Sequence, residues 1–120
     1  MLFNHGTRTC QKPLGNNTRD DEKAANKSVA WMCKMINVLC SQNLTITVEN
    51  PARSILFYHP LFMQLVAKFE PVYVYVDQCC YGLKSPEGID SVEIWKKPTY
   101  LVSSCHSLQS IEKHCHCDHQ

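Results

Sequence analysis

The sequence predicts an α/β fold of about three strands with flanking helices, ending in a Cys/His-rich tail. Three observations carry this expectation. Ala25, Val29, Met32, Ile36 and Leu39 recur at spacings of four, three, four and three, the apolar stripe of an amphipathic helix. Val72-Tyr73-Val74-Tyr75-Val76 alternates valine with tyrosine, so both faces of that strand are largely apolar and call for cover on both sides. The order helix, strand, helix, strand, loop, strand over 120 residues leaves room for one core and at least one helical crossover.

Taken in order, residues 1–19 are polar, with turn signals at Lys12-Pro13 and Gly15-Asn16-Asn17, and read as an irregular entry segment. Thr18 and Asp21 form an imperfect capping box, and Asp20, Asp21 and Glu22 put negative charge where a helix N-terminus is electropositive. A helix of about 20 residues therefore starts near Thr18. Cys33 and Cys40 extend its buried stripe and read as small core residues. Leu44-Thr45-Ile46-Thr47-Val48 is a β-branched strand that stops at Glu49-Asn50-Pro51. Pro60 opens a second helix that buries Leu61, Leu65 and Phe69, and Pro71 introduces the valine-tyrosine strand. Tyr81-Gly82 to Gly88 is a loop, Lys96-Lys97-Pro98-Thr99 leads into a third strand at Tyr100-Leu101-Val102-Ser103, and Ser107 to Lys113 forms a short terminal helix. The division that follows is an α/β domain over 1–104 and a tail over 105–120.

Composition excludes several classes. Lys+Arg 12 against Asp+Glu 11 gives a net charge of +1, without the basic excess of a dedicated nucleic-acid binder. No apolar run approaches the roughly 18 residues of a membrane span. Met1-Leu2-Phe3-Asn4-His5-Gly6 shows no basic region followed by an apolar stretch, so the expectation is an intracellular chain, cytoplasmic or nuclear. Its eight cysteines are then thiols for metal ligation, chemistry or burial, and the N-x-Ser/Thr matches at Asn16, Asn26 and Asn43 are chance.

Four groups of residues bear chemistry. Glu49-Asn50-Pro51 stands at the carboxyl end of a strand, where ligands collect in open α/β sheets. A carboxyl group buried there would have a raised pKa and serve as a general acid; otherwise Asn-Pro is turn punctuation and Glu49 is solvated. Lys96 and Lys97, joined by Arg53 across the sheet edge, would contact phosphate, or are solvated loop charges. Cys79 and Cys80 are neighbours whose side chains should point apart, one buried and one exposed. In the tail, Cys115, Cys117 and His119 with Cys105 or His106 make a tetrahedral zinc set that would tie the tail to the third strand. The C-x-C spacing departs from the usual C-x2-C knuckle, and the alternative is a metal-binding string without fixed structure.

The series Val48-Glu49-Asn50-Pro51, Ser54, Pro60, Asp77-Gln78-Cys79-x-Tyr81-Gly82, Lys96-Lys97-Pro98-Thr99 and the terminal Cys/His cluster resembles a divergent branch of the DNA cytosine-5 methyltransferase-like proteins of phages, viruses and mobile elements. The likeness covers roughly residues 7–119 and is most specific over 47–104. It implies a partial Rossmann-like methyltransferase sheet in which Glu49 and Asn50 hold a flipped cytosine, the glutamate at N3, while a cysteine thiolate attacks C6. Lysines stand where the ordinary enzymes carry a Gln and two Arg, which keeps charge and loses bidentate geometry. Thr9-Cys10-Gln11 is one counterpart of the family's Pro-Cys-Gln nucleophile loop, making Cys10 the nucleophile. In the other alignment, Arg8-Thr9 and Pro13-x-Gly15 match the segment after that loop, and the nucleophile lies before Met1. Gly6, Gly15, Gly82 and Gly88 form no G-x-G turn for S-adenosylmethionine, so the chain resembles the second half of the enzyme, inactive alone. The missing half would leave an open sheet edge, expected to bind a partner polypeptide or a second copy. The alternative function is a non-enzymatic zinc-binding interaction module.

Overall fold

The computed structural model describes residues 6–82 and 97–116. Lys96, Cys117, His119 and the loop expected through Gly88, beyond Gly82, lie outside the described residues. Helix α1 runs Asp20–Ser41, strand β1 Thr47–Pro51, helix α2 Pro60–Phe69, strand β2 Val72–Asp77 and strand β3 Pro98–Ser103. Short 3-10 segments at Ile55–Tyr58, Gln78–Tyr81 and His106–Ile111 complete the order.

The start of α1 differs from the Thr18 box. Arg19 is the N-cap and makes no side-chain cap bond. The entry segment supplies the anchor instead. Glu22, fully buried, accepts from the Thr7 amide at 3.2 Å and from the Thr7 hydroxyl at 2.8 Å. Arg8 donates to the Glu22 carbonyl at 3.1 Å and to Asn26 Oδ1 at 3.2 Å. Gly15 has φ +64, and a Cβ there would overlap Glu22 Oε2 and stand 2.6 Å from Thr7 Oγ1, so only glycine fits.

The fold is mixed α/β around a three-stranded antiparallel sheet in the order β1-β3-β2. β3 pairs with Thr47↔Ser103 to Pro51↔Thr99 on one side and Val72↔Ser103 to Asp77↔Pro98 on the other. Because both outer strands oppose β3, β1 and β2 point the same way, and α2 makes the crossover between them. Their carboxyl ends therefore meet at the beginning of β3.

The pleat sorts the sheet's side chains. Val48, Val102 and Tyr100 face Val29 and Cys33 of α1, Leu56, and Phe62, Leu65 and Val66 of α2, which together form the core. Phe62 is the buried residue of α2's first turn; of the expected stripe Leu65 packs against the core, whereas Leu61 is 38% exposed. The His59 ring sets the helix's phase: its Nδ1 accepts from the Leu61 amide at 3.1 Å and caps the helix, with Pro60 in the first turn. Tyr73 and Tyr100 meet Phe57 and each other, and Tyr75 meets Tyr100, all edge-on with centroids 5.6 to 6.0 Å apart. Cys33 is buried in the core as expected, and burial raises its pKa. On the opposite face Val74 and Val76 are buried, while Glu49 on β1 is exposed. Both helices thus cover one face.

Residues beyond β3 return to the outer edge of β2. Asp77 donates its amide to the Lys113 carbonyl at 2.9 Å and Lys113 donates to the Tyr75 carbonyl at 3.1 Å, forming a parallel bridge. The Tyr75 amide donates to Glu112 Oε1 at 3.1 Å. The tail thus covers this edge from Tyr75 to Asp77, and β1 forms the other edge of the sheet among the described residues. No helix of the described residues is long and apolar enough to cross a membrane.

Candidate functional site

The end of the sheet where β1 and β2 finish and β3 starts carries two features, a cleft and a cluster of cysteines. The cleft, about 490 Å³, is lined by Glu49, Gln78, Tyr81, Gly82 and Thr99, with Val76, Leu101 and Ile111 as its apolar floor. Glu49 opposes Leu101, and Thr99 opposes both Pro51 and Val76, so these side chains share a face through strand register. Gln78 donates from Nε2 to Thr99 Oγ1 at 2.9 Å, and Thr99 donates to the Lys97 carbonyl at 3.1 Å. The Tyr81 hydroxyl donates to the Ile111 carbonyl at 2.6 Å, and Lys113 Nζ lies 4.5 Å from the Tyr81 ring centroid. Gly82 ends the turn with φ +87, a conformation that favours glycine. The polar wall is held by bonds within the protein, and the Glu49 carboxylate is exposed in the cleft.

The predicted site residues fall in different places. Glu49 lines the cleft, and Asn50, its neighbour on β1, is buried with its side chain on the opposite face. Arg53 is exposed on the turn after β1, whose Ala52 amide donates to the Pro98 carbonyl at 2.9 Å. Lys97, adjacent to Pro98, is exposed with φ +36, so Arg53 and Lys97 flank the same end of the sheet. Cys10 is exposed on a turn closed by reciprocal Thr9 and Lys12 backbone bonds of 3.1 Å, and is not among the residues lining the cleft.

The metal-ligating residues are regrouped. Cys105 and His106 follow the far end of β3: Cys105 donates its amide to Ser103 Oγ at 3.0 Å, and His106 Nε2 is 3.1 Å from the Glu70 carbonyl. The Ser107 hydroxyl, 3.0 Å from Cys105 Sγ, lowers that thiol's pKa. Cys115 sits instead at the Asp77 end of β2, so the length of the sheet separates it from Cys105. There its sulfur, with those of Cys79 and Cys80, makes a group in which all three lie within 4.8 Å of one another. The two neighbours do not point apart as a strand would require, because they occupy the 3-10 turn Gln78–Tyr81, and both are half-buried. Burial, followed by the adjacent Cys115 and Cys80, pushes the Cys79 thiol up to about 12.

Asp77 organises this corner. It is buried, its Oδ2 accepts from the Cys115 amide at 2.7 Å and its Oδ1 accepts from the Tyr75 hydroxyl at 2.9 Å. Burial and the Asp77 carboxylate raise the Tyr75 phenol to about 12. His114 stacks on the Tyr75 ring with centroids 4.4 Å apart and planes at 10°. Sequence reasoning passed over the Cys79-Cys80 pair as ligands; its signal was a dense soft-donor pair at the end of a strand, visible only once strand geometry is not imposed on it.

Set against protein-family models, curated proteins and solved structures, the chain finds no match.

Proposed function

We propose that this chain is the base-recognition part of a cytosine-5 methyltransferase-like protein, with a partial Rossmann-like methyltransferase sheet, and that a second polypeptide supplies the S-adenosylmethionine half. The observation that supports it is the cleft: Glu49, the Gln78-to-Gly82 motif and Thr99 come from three separated stretches of sequence and converge on one concavity. An unpaired base edge offers both donors and acceptors, and a carboxylate in an open cleft is an acceptor for the donors. Arg53 and Lys97 supply positive charge beside it for the phosphates. β1, an edge strand with no outer partner among the described residues, is where the second polypeptide or a second copy would pair.

The test is fluorescence anisotropy with two DNA duplexes, one fully paired and one with a cytosine opposite an abasic site. The chain is expected to prefer the second, and Glu49→Gln to remove the preference. Equal affinity for both, or a preference indifferent to Glu49→Gln, would sink the reading. Calorimetry with S-adenosylmethionine on the chain alone is expected to show no binding; micromolar affinity would mean that the chain holds a cofactor pocket and return Cys10 to the nucleophile's role.

A second reading, a non-enzymatic zinc-binding interaction module, is favoured by the three-cysteine cluster. It expects Glu49→Gln to leave all binding unchanged.

A further inference from the structure

Three sulfur atoms converge from two distant stretches of chain, and the convergence is built by groups other than the sulfurs. The turn Gln78–Tyr81 presents Cys79 and Cys80 directly after β2. The tail is brought alongside by the two backbone bonds between Lys113 and β2 and by the Cys115 amide on Asp77. Asp77 accepts from the Cys115 amide with Oδ2 and from the Tyr75 hydroxyl with Oδ1, so it positions Cys115, and it is not among the three clustered donors.

Geometry and softness select the ligand. With metal–sulfur bonds of about 2.3 Å, tetrahedral thiolates stand about 3.8 Å apart. Sulfur atoms already within 4.8 Å of one another need a contraction of an ångström or less to reach that spacing. The set is all thiol, which favours a thiophilic cation such as zinc or cadmium over magnesium, calcium or manganese. Each cysteine is half-buried, so an ion can enter from solvent.

We propose that Cys79, Cys80 and Cys115 bind one thiophilic divalent cation, zinc in the cell, which locks the tail onto the carboxyl end of β2. Binding exchanges the three thiol protons, released to solvent, for three metal–sulfur bonds, with no change of oxidation state. The site stands independently of the base-recognition reading, since it uses none of the cleft's polar residues. Its consequence for the cleft is positional: Tyr81 belongs to the same turn as Cys79 and Cys80, so a bound ion would stiffen one wall.

The experiment titrates the full-length reduced chain with cobalt and with zinc, followed by absorption and by metal analysis after gel filtration. One ion per chain with a thiolate-to-cobalt charge-transfer band is expected. Cys115→Ser and Cys79→Ser should lose both, while Cys105→Ser and Cys10→Ser keep them. No band, or an undiminished band in Cys115→Ser, overturns the site. Alkylation mapped by mass spectrometry on the unmutated chain decides the matter even where a variant fails to fold. Zinc should slow modification of Cys79, Cys80 and Cys115 by at least about tenfold and leave Cys10 unaffected. Equal reactivity with and without zinc at these three positions overturns it as well.

Discussion

Asp77 and Cys115, 38 residues apart, are joined at 2.7 Å, the backbone amide of one donating to the side chain of the other. The carboxylate that accepts is 1% exposed and also takes the Tyr75 hydroxyl. One buried group therefore settles where the tail lies and how the Tyr75 ring, on which His114 stacks, is turned.

Asp77→Ala should release the tail. It leaves the Cys115 amide and the Tyr75 hydroxyl without their acceptor, a loss of about 2 to 3 kcal/mol for bonds to a charged group. Urea unfolding would read the loss, and limited proteolysis would show cleavage moving to the region after β3. An unchanged midpoint and cleavage pattern would mean that the two Lys113 backbone bonds suffice.

The entry segment offers a paired test. Gly15→Ala forces a side chain into a left-handed backbone and into the Glu22 carboxylate, and should cost more than about 1 to 2 kcal/mol. Glu22→Ala removes the acceptor of the Thr7 amide and hydroxyl and should cost about 2 to 3 kcal/mol. In the double variant the overlap with the Glu22 carboxylate has gone and only that with Thr7 Oγ1 remains, so the two losses should fall short of additivity. Strict additivity in denaturant melts would show that Gly15 and Glu22 act separately.

Phe62→Ala removes a ring 2% exposed, packed with Val29, Cys33, Leu56 and Val102, and should destabilise by about 3 to 5 kcal/mol. Leu61→Ala, on the exposed side of the same turn, should cost under about 1 kcal/mol. The comparison tests the phase of α2 directly; reversed magnitudes would restore the register expected from sequence.

Stability should fall at both ends of the pH range. Burial, then the positive Arg8, lowers the His59 pKa beneath its ordinary 6.5. The unfolded chain therefore takes up that proton first, and stability drops as pH falls below about 6.5 until the folded pKa is passed. Tyr75 is raised from 10.0 to about 12, so the folded chain keeps a proton that the unfolded chain loses, and stability drops as pH rises between those values. Thermal melts across pH should flatten on the acid side in His59→Asn, which keeps a cap acceptor, and on the alkaline side in Tyr75→Phe. Unaltered slopes would assign the dependence to other groups.

What could be read from sequence was what local periodicity encodes. α1 and β2 each repeat an apolar pattern over a full element, and Pro60 marks the start of α2 by its own covalent geometry. β1 begins three residues later than Leu44 and takes in Glu49 to Pro51, because pairing with β3 decides which residues of an extended segment count as strand. Leu61 and Phe62 could not be ranked, since the His59 cap and the preceding turn fix the helix's phase. The cysteine cluster was hidden for a stronger reason: Cys115 reaches Cys79 through backbone bonds that any residue types at 113 and 115 except proline could make, so composition gives no sign of them. Cys105, nearer to Cys115 in sequence than Cys79 is, ends up a strand's length away.

The sheet's order also governs how the chain comes into being. β3 is synthesised after β1 and β2 and lies between them, so no strand pairing can form until residues 98–103 have emerged from the ribosome. Until then β1 and β2 wait with bare edges, and only α1, α2 and the turns can take shape. Closure of the sheet is thus a single late event of long loop length, slow beside helix formation. During that interval the nascent chain has most to gain from a chaperone and most to lose from a neighbour of its own kind.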